Sequence, residues 1–187
     1  MERLELTGTL EERVHRLFEF ALAHRRGEAD IEYISGIYEA AGVPFTQAAR
    51  EFIAKYYGLF EGCEVYRRKG NDPQGDPEKA ELEVSFAGDI IPGFEGNVRE
   101  LAELWEGDPE ETEYPDPGAQ ARSLNAVPVG IIGDYYGACV YIADDGKILA
   151  FHDYEKMKMH VFGSFEEFWV YEFGNCTSMP AVICAGE

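Results

Sequence analysis

Cys139, His152 and Asp153 are the residues in this chain whose types could do covalent chemistry. A thiolate beside an imidazole that is oriented by a carboxylate makes a hydrolase nucleophile. Their placement argues against it. Cys139 lies between Ala138 and Val140 in the β-prone run ACVYIA, where a small apolar filler is expected. His152 and Asp153 are adjacent, and neighbours on a strand point to opposite faces. A metal is the next possibility. His152 and His160 are eight residues apart, without the HExxH or Cys/His spacing that zinc sites use. Asp144-Asp145-Gly146 faintly resembles a calcium loop but lacks the alternating ligands and the closing glutamate, and a hairpin turn explains it more simply. Weak calcium binding remains an alternative use of the acids at Asp108, Glu110, Glu111, Glu113 and Asp116. The glycines at 130, 133 and 137 open no helix and precede no Gly-Lys-Ser/Thr, so no phosphate-cradling loop is expected. No residue set reaches a catalytic hypothesis, and no cofactor is expected.

The elements that would position these residues are readable. Thr9 and Glu12 form a Thr-x-x-Glu capping box, and Leu10, Val14, Leu17, Phe18, Ala21 and Leu22 follow at helical spacing, predicting a helix over about 10–25. Asp30 is a good N-cap for a second helix that stops at Gly42. Val43-Pro44 breaks the chain. Thr46 then caps a third helix, carrying Ala49, Phe52, Ile53 and Tyr56, which is ended by Gly58. A strand is expected near Cys63 to Arg67. The stretch over 67–79 is polar and rich in Gly and Pro, hence an exposed loop. Glu81 to Phe86 alternates as a half-buried strand, and Asn97 to Trp105 can form a short helix. Residues 107–118 combine prolines, glycines and acids and read as loop. Further on, ACVYIA and KILAF flank Asp-Asp-Gly, a strong hairpin signal. The run KMKMHVF follows, then Gly163-Ser164 and an amphipathic helix to Phe173.

The expected fold is a single α+β domain over 1–187. N-terminal helices come first and a mostly antiparallel sheet with helices packed on it follows, with exposed loops near 68–79 and an acidic loop at 107–120. At 187 residues, 45% apolar and 13% aromatic, the chain can fill one core. No apolar stretch reaches the roughly 20 residues that span a bilayer, and the charged N-terminus lacks a secretion-signal core. Cys63, Cys139, Cys176 and Cys184 form no CxxC pair, which fits reduced thiols and a cytoplasmic location.

Charge is the functional signal. The chain carries 36 acidic and 16 basic residues, net −20, and residues 71–120 hold 15 acids against Lys79 and Arg99 alone. Two thirds of the excess therefore lies in about a quarter of the chain. Such a field repels nucleic-acid phosphates and anionic membranes and attracts basic partners. Neither direct nucleic-acid binding nor membrane association is expected.

Four segments carry a resemblance to a known family: helix Gln47–Tyr57 with Gly58-Leu59; Val127-Pro128-Val129-Gly130; Val140 to Lys147 with Asp145-Gly146; and Gly163-Ser164 before the last helix. Together they resemble the SUKH (Smi/Knr-like) proteins, most closely the third SUKH subfamily. The turn often written Gly-Gly in that family is Tyr57-Gly58 here, and the acidic 87–120 segment matches nothing closely. The resemblance implies an α+β fold and a non-catalytic immunity protein of a bacterial polymorphic toxin system. Its partner would be a cognate, basic toxin domain such as a nuclease or deaminase. The acids Glu103, Glu106, Asp108, Glu110, Glu111, Glu113 and Asp116, with Tyr114 as an aromatic anchor, are the candidate contact residues. Two alternatives are an intracellular interaction or scaffold domain outside toxin defence and a small enzyme of unrecognised type.

Overall fold

The computed structural model describes residues 2–69, 75–107, 114–134, 136–175 and 178–186. In chain order the elements are β1 (Glu2–Glu5), α1 (Leu10–His24), α2 (Ile31–Ala41), α3 (Gln47–Tyr56), β2 (Cys63–Lys69), β3 (Glu78–Lys79), β4 (Leu82–Phe86), α4 (Phe94–Glu106), α5 (Pro117–Ser123), β5 (Ala126–Asp134), β6 (Ala138–Ala143), β7 (Ile148–His152), β8 (Lys158–Phe162), α6 (Phe165–Asn175) and β9 (Ser178–Ala185). The class is α+β. Two antiparallel sheets replace the single one expected, one ordered β1-β9-β2-β3 and the other β4-β5-β6-β7-β8. A strand also precedes the helices: β1 pairs with β9 near the other end of the chain, Glu2 opposite Ala185. ERLE is too short and too charged to announce a strand by itself.

The helix stops and starts follow local chemistry. Glu12 N–H donates to Thr9 Oγ1 at 3.3 Å while Thr9 N–H donates to Glu12 Oε2 at 2.9 Å, completing the capping box. Asp30 and Thr46 accept the N–H groups of Tyr33 and Ala49 in the same way. Past α3, Gly58 adopts φ +66°, and a Cβ there would lie 2.2 Å from the carbonyl oxygen of Arg26, so a glycine is required twice over. The helix expected at Asn97 starts earlier, at Phe94. Asn97 is buried inside it, accepting from Ile91 N–H at 3.0 Å and donating to the carbonyls of Gly88 and Gly93, which ties the preceding turn to the first helical turn.

Two stretches read as loop are partly regular. Glu78 and Lys79 pair with Arg67 and Tyr66, extending the four-stranded sheet. Residues 117–120, expected as part of the acidic loop, open α5, with Pro117 at its first position, where its missing N–H costs nothing.

Val127-Pro128-Val129-Gly130 has a physical role. The β5–β6 register shifts between Pro128 and Gly130, because proline cannot donate to the ladder. The Pro128 carbonyl instead accepts the buried Tyr38 hydroxyl at 2.5 Å. A Cβ on Gly130 would fall 2.1 Å from the Ser85 carbonyl oxygen, so only glycine lets β4 approach. At the hairpin, Gly146 takes φ +83° and its N–H donates to the Ala143 carbonyl, as a tight turn requires.

The main core lies between the inner face of the five-stranded sheet and the helices. Phe165 packs at 5.6 Å from Phe18, 4.9 Å from Phe52 and 4.8 Å from Tyr56 (ring centroids). These edge-on and tilted ring pairs join α1, α3 and α6. The outer face of the same sheet carries a smaller cluster, Tyr141, Leu149 and Phe151 with Ala121 of α5, and half-buried Cys139, Met157 and Met159 at its margin.

Candidate interaction surface

Of the candidate acids, Glu103 and Asp116 come together over the outer sheet face. Glu103 and Glu106 are exposed on the last turns of α4. Asp108, Glu110, Glu111 and Glu113 lie outside the described residues. Tyr114 is half-buried just before α5, and Asp116 stands at the N-cap of α5. The two helices are held at close range by Gly118, where a Cβ would meet the Trp105 carbonyl oxygen at 2.5 Å. From below, the Tyr141 hydroxyl donates to the Leu104 carbonyl at 2.5 Å, fastening the end of α4 to β6.

Between these elements is a cleft of about 390 Å³. Glu100, Glu103 and Asp116 form its acidic edge, and Leu104, Cys139, Tyr141 and Met157 its apolar floor. Arg99 lies 3.9 Å from Glu103 and Arg122 lies 3.7 Å from Asp116. Both are exposed or half-exposed pairs, which contribute little. Met157 reaches the floor from an unusual backbone. Lys156 and Met157 both have positive φ, uncommon for residues with side chains, held by bonds from their N–H groups to the Asp153 and His152 carbonyls. Sequence reasoning found Glu103 and Asp116 but missed Glu100 and the floor. Glu100 was within reach, since it stands three residues from Glu103 on one helix. Nothing local marks Cys139, Tyr141 or Met157.

The structure separates the imagined hydrolase residues. Cys139 is paired with Phe151, so both face outward. His152 is on the inner face and shares a hydrogen bond of 2.6 Å with Glu172 of α6. Burial pushes the Cys139 thiol up to about 11, with Glu100 and Asp153 adding to the effect, because the charged form is the one that desolvation and neighbouring carboxylates disfavour. The thiolate is the reactive form. At pH 8 only about one Cys139 in a thousand is ionised, so iodoacetamide is expected to modify it far more slowly than a free thiol, with the rate climbing as the pH approaches the raised value. Peptide mapping after timed alkylation reads this directly, and modification at the free-thiol rate at pH 8 would contradict the burial. The sign for stability follows from the raised value. Between about pH 9 and 11 the folded thiol holds a proton that the unfolded one has lost, so this group costs stability as pH rises through that window.

His152 and His160, whose spacing in the sequence matches no zinc motif, are neighbours with ring centroids 6.3 Å apart. Glu155 Oε2 lies between them, 2.9 Å from His160 Nε2 and 3.5 Å from His152 Nδ1. Tyr171 donates to the same carboxylate at 2.9 Å. Among the described residues no group of three His, Cys, Asp or Glu side chains has the arrangement to hold a metal ion. The cluster fastens α6 to the β7–β8 edge. A larger cleft, about 490 Å³, opens between α3, the 144–146 turn and Ser164, with Glu51, Lys55, Asp144 and Asp145 at its border. Its charges are mixed, and it holds none of the candidate contact residues. Among the described residues no helix is long and apolar enough to cross a membrane.

Comparison with family models, curated proteins and solved structures found no match to this chain.

Proposed function

We propose that this chain is a non-catalytic immunity protein of the SUKH type, acting in the cytoplasm, which neutralises a cognate basic toxin domain by binding it through the α4–α5 face. The observation that carries the reading is the convergence of Glu100, Glu103 and Asp116 on one cleft whose lining has no Lys or Arg among the described residues. In sequence, the acids of 108–113 connect the two helices that supply them. Enzymes that act on nucleic acid present basic clefts, and a concentrated negative face occupies such a cleft while steering encounter. A specific complex would bury on the order of 1,600 Å². The Gly58 helix stop, the bulge after Pro128 and the Asp145-Gly146 turn, segments on which the resemblance is read, each meet a backbone requirement of this chain's own fold.

Co-expression with a toxin domain encoded beside this chain, scored by cell survival and by pull-down, tests the proposal. Rescue with a stoichiometric complex is the expected result. No rescue and no complex, with the toxin active and this chain folded, overturns it and leaves the scaffold-domain alternative. Reversing Glu103, Glu106 and Glu110 to lysine is expected to slow association roughly tenfold or more at low salt and to abolish protection. Stopped-flow association rates across a salt series measure the effect, and an unchanged rate would remove the acidic face from the mechanism.

A further inference from the structure

We infer that the free edge of β8 is a docking site for an extended acidic segment of a partner protein, which adds to the five-stranded sheet as a further strand. The edge uses none of the acids that the proposed function invokes, and the inference does not rest on that function.

The first observation is the edge itself. β8 closes one end of the order β4-β5-β6-β7-β8, so among the described residues no strand pairs with its outer side. It runs in unbroken register with β7, from Lys158 opposite His152 to Phe162 opposite Ile148, with no proline and no bulge. A straight edge of this kind leaves backbone N–H and C=O groups open to a further chain. Its side chains alternate between the two faces. Met159 and Val161 stand opposite Phe151 and Leu149 on the outer face, and Val161 is 49% exposed. Phe162 turns inward, its ring 5.7 Å from that of Phe168 on α6. An added strand would lay apolar side chains beside Met159 and Val161 and extend the outer cluster.

The second observation is independent and selects the charge of the occupant. Of the 16 basic residues, Lys156 and Lys158 are the ones whose side chains make no hydrogen bond, ion pair or ring contact among the described residues. The other lysines are engaged: Lys69 with Glu78, Lys79 with Glu64, Lys147 with Asp145, and Lys55 over the Tyr56 ring. Both free lysines are exposed, Lys158 at the start of β8 and Lys156 just before it. In a chain of net −20, two neighbouring cations without a carboxylate stand out. Lysine on an edge strand ordinarily discourages pairing. An acidic strand turns the same charges into recognition, because opposite charges across a strand pair attract and like charges repel. A second copy fits less well: its β8 brings the same lysines and no acid, and two chains of net −20 repel. Main-chain bonds would supply affinity and the alternating side chains specificity, as in strand addition generally.

Synthetic peptides test the edge at physiological salt, where charges more than about 8 Å apart are largely screened and contact pairs are not. Acetyl-Thr-Val-Thr-Val-Glu-Val-Glu-amide is titrated into the intact protein while the Met159 and Val161 amide resonances are followed by NMR. Saturable shifts with Kd on the order of 0.1 mM are expected. Glutamine in place of both peptide glutamates removes the charge alone and is expected to weaken binding at least tenfold. N-methylation of every second peptide amide, made in both phases, blocks one edge of the peptide at a time. One phase is expected to lose binding and the other to keep it. Lys156→Gln with Lys158→Gln alters two exposed side chains and is expected to weaken the acidic peptide at least tenfold. Absence of shifts with the acidic peptide, equal binding of the glutamine peptide, equal binding by the double variant, or N-methylated phases that bind alike overturns the inference. Sedimentation velocity of the protein alone tests the second copy. A monomer at the titration concentration is expected, and self-association that the double lysine variant abolishes would overturn the acidic segment as occupant and assign the edge to another copy of this chain.

Discussion

Replacing Trp169 with alanine is expected to destabilise the fold by about 3–5 kcal/mol, while Trp169→Phe costs less than about 1.5 kcal/mol. Trp169 is fully buried on α6. Its ring packs at 5.3 Å from Phe60, 5.7 Å from Phe168, 5.6 Å from Phe173 and 6.2 Å from Phe165, so truncation leaves a cavity where these aromatic neighbours meet. The indole Nε1 is buried without a hydrogen-bond partner among the described residues. Phenylalanine keeps most of the ring contact and removes that unsatisfied donor, which offsets part of the lost volume. The two variants therefore separate packing from polarity. Equilibrium unfolding in urea measures both, and a Phe variant as unstable as the Ala variant would show that the indole N–H is satisfied after all.

Asp134→Ala is expected to cost about 3 kcal/mol, the lower end of the range for breaking a buried ion pair. The Asp134 carboxylate has no solvent exposure and pairs with Arg67, whose side chain is 21% exposed. Arg67 belongs to β2 and Asp134 to the end of β5, so the pair joins the two sheets. Glu172 extends the join, accepting the Asp134 N–H at 3.2 Å through one oxygen and meeting His152 through the other. Removing the aspartate strands a mostly buried guanidinium. Substituting both partners, as Arg67→Met with Asp134→Leu, removes the charge along with its counter-ion and is expected to recover much of the loss. Urea titrations of the single and double variants decide it: a double variant less stable than Asp134→Ala would mean that the pair specifies the sheet-to-sheet geometry rather than only balancing charge.

The contrast between these two sites shows what local pattern can and cannot carry. The capping box at Thr9 and Glu12, the Asp30 and Thr46 caps and the Asp145-Gly146 turn were all legible because each is complete within three or four residues. The backbone groups they satisfy lie next to the side chains that satisfy them. The helical spacing of Val14, Leu17, Phe18 and Ala21 likewise declared its buried face. Nothing comparable marks Arg67 as the partner of Asp134, 67 residues away.

Sequence alone therefore determined the α+β class, most of the helices, the central hairpin and the concentration of negative charge between residues 71 and 120. It also determined that Glu103 and Asp116 belong to that charged region. Tertiary structure alone decided that there are two sheets, since β1 finds its hydrogen-bonding partner in β9, at the other end of the chain. It also decided that 117–120 are helical and that Cys139 and His152 face opposite sides of one sheet. The cleft belongs to the same category. Its acids come from α4 and α5 and its floor from β6 and the Met157 turn, segments whose side chains have no reason to meet until the sheet has paired and Tyr141 has fastened α4 above it. Periodicity reports which face of an element avoids water. It does not report which distant element will cover that face, because that choice is made by long-range packing that no local spacing encodes.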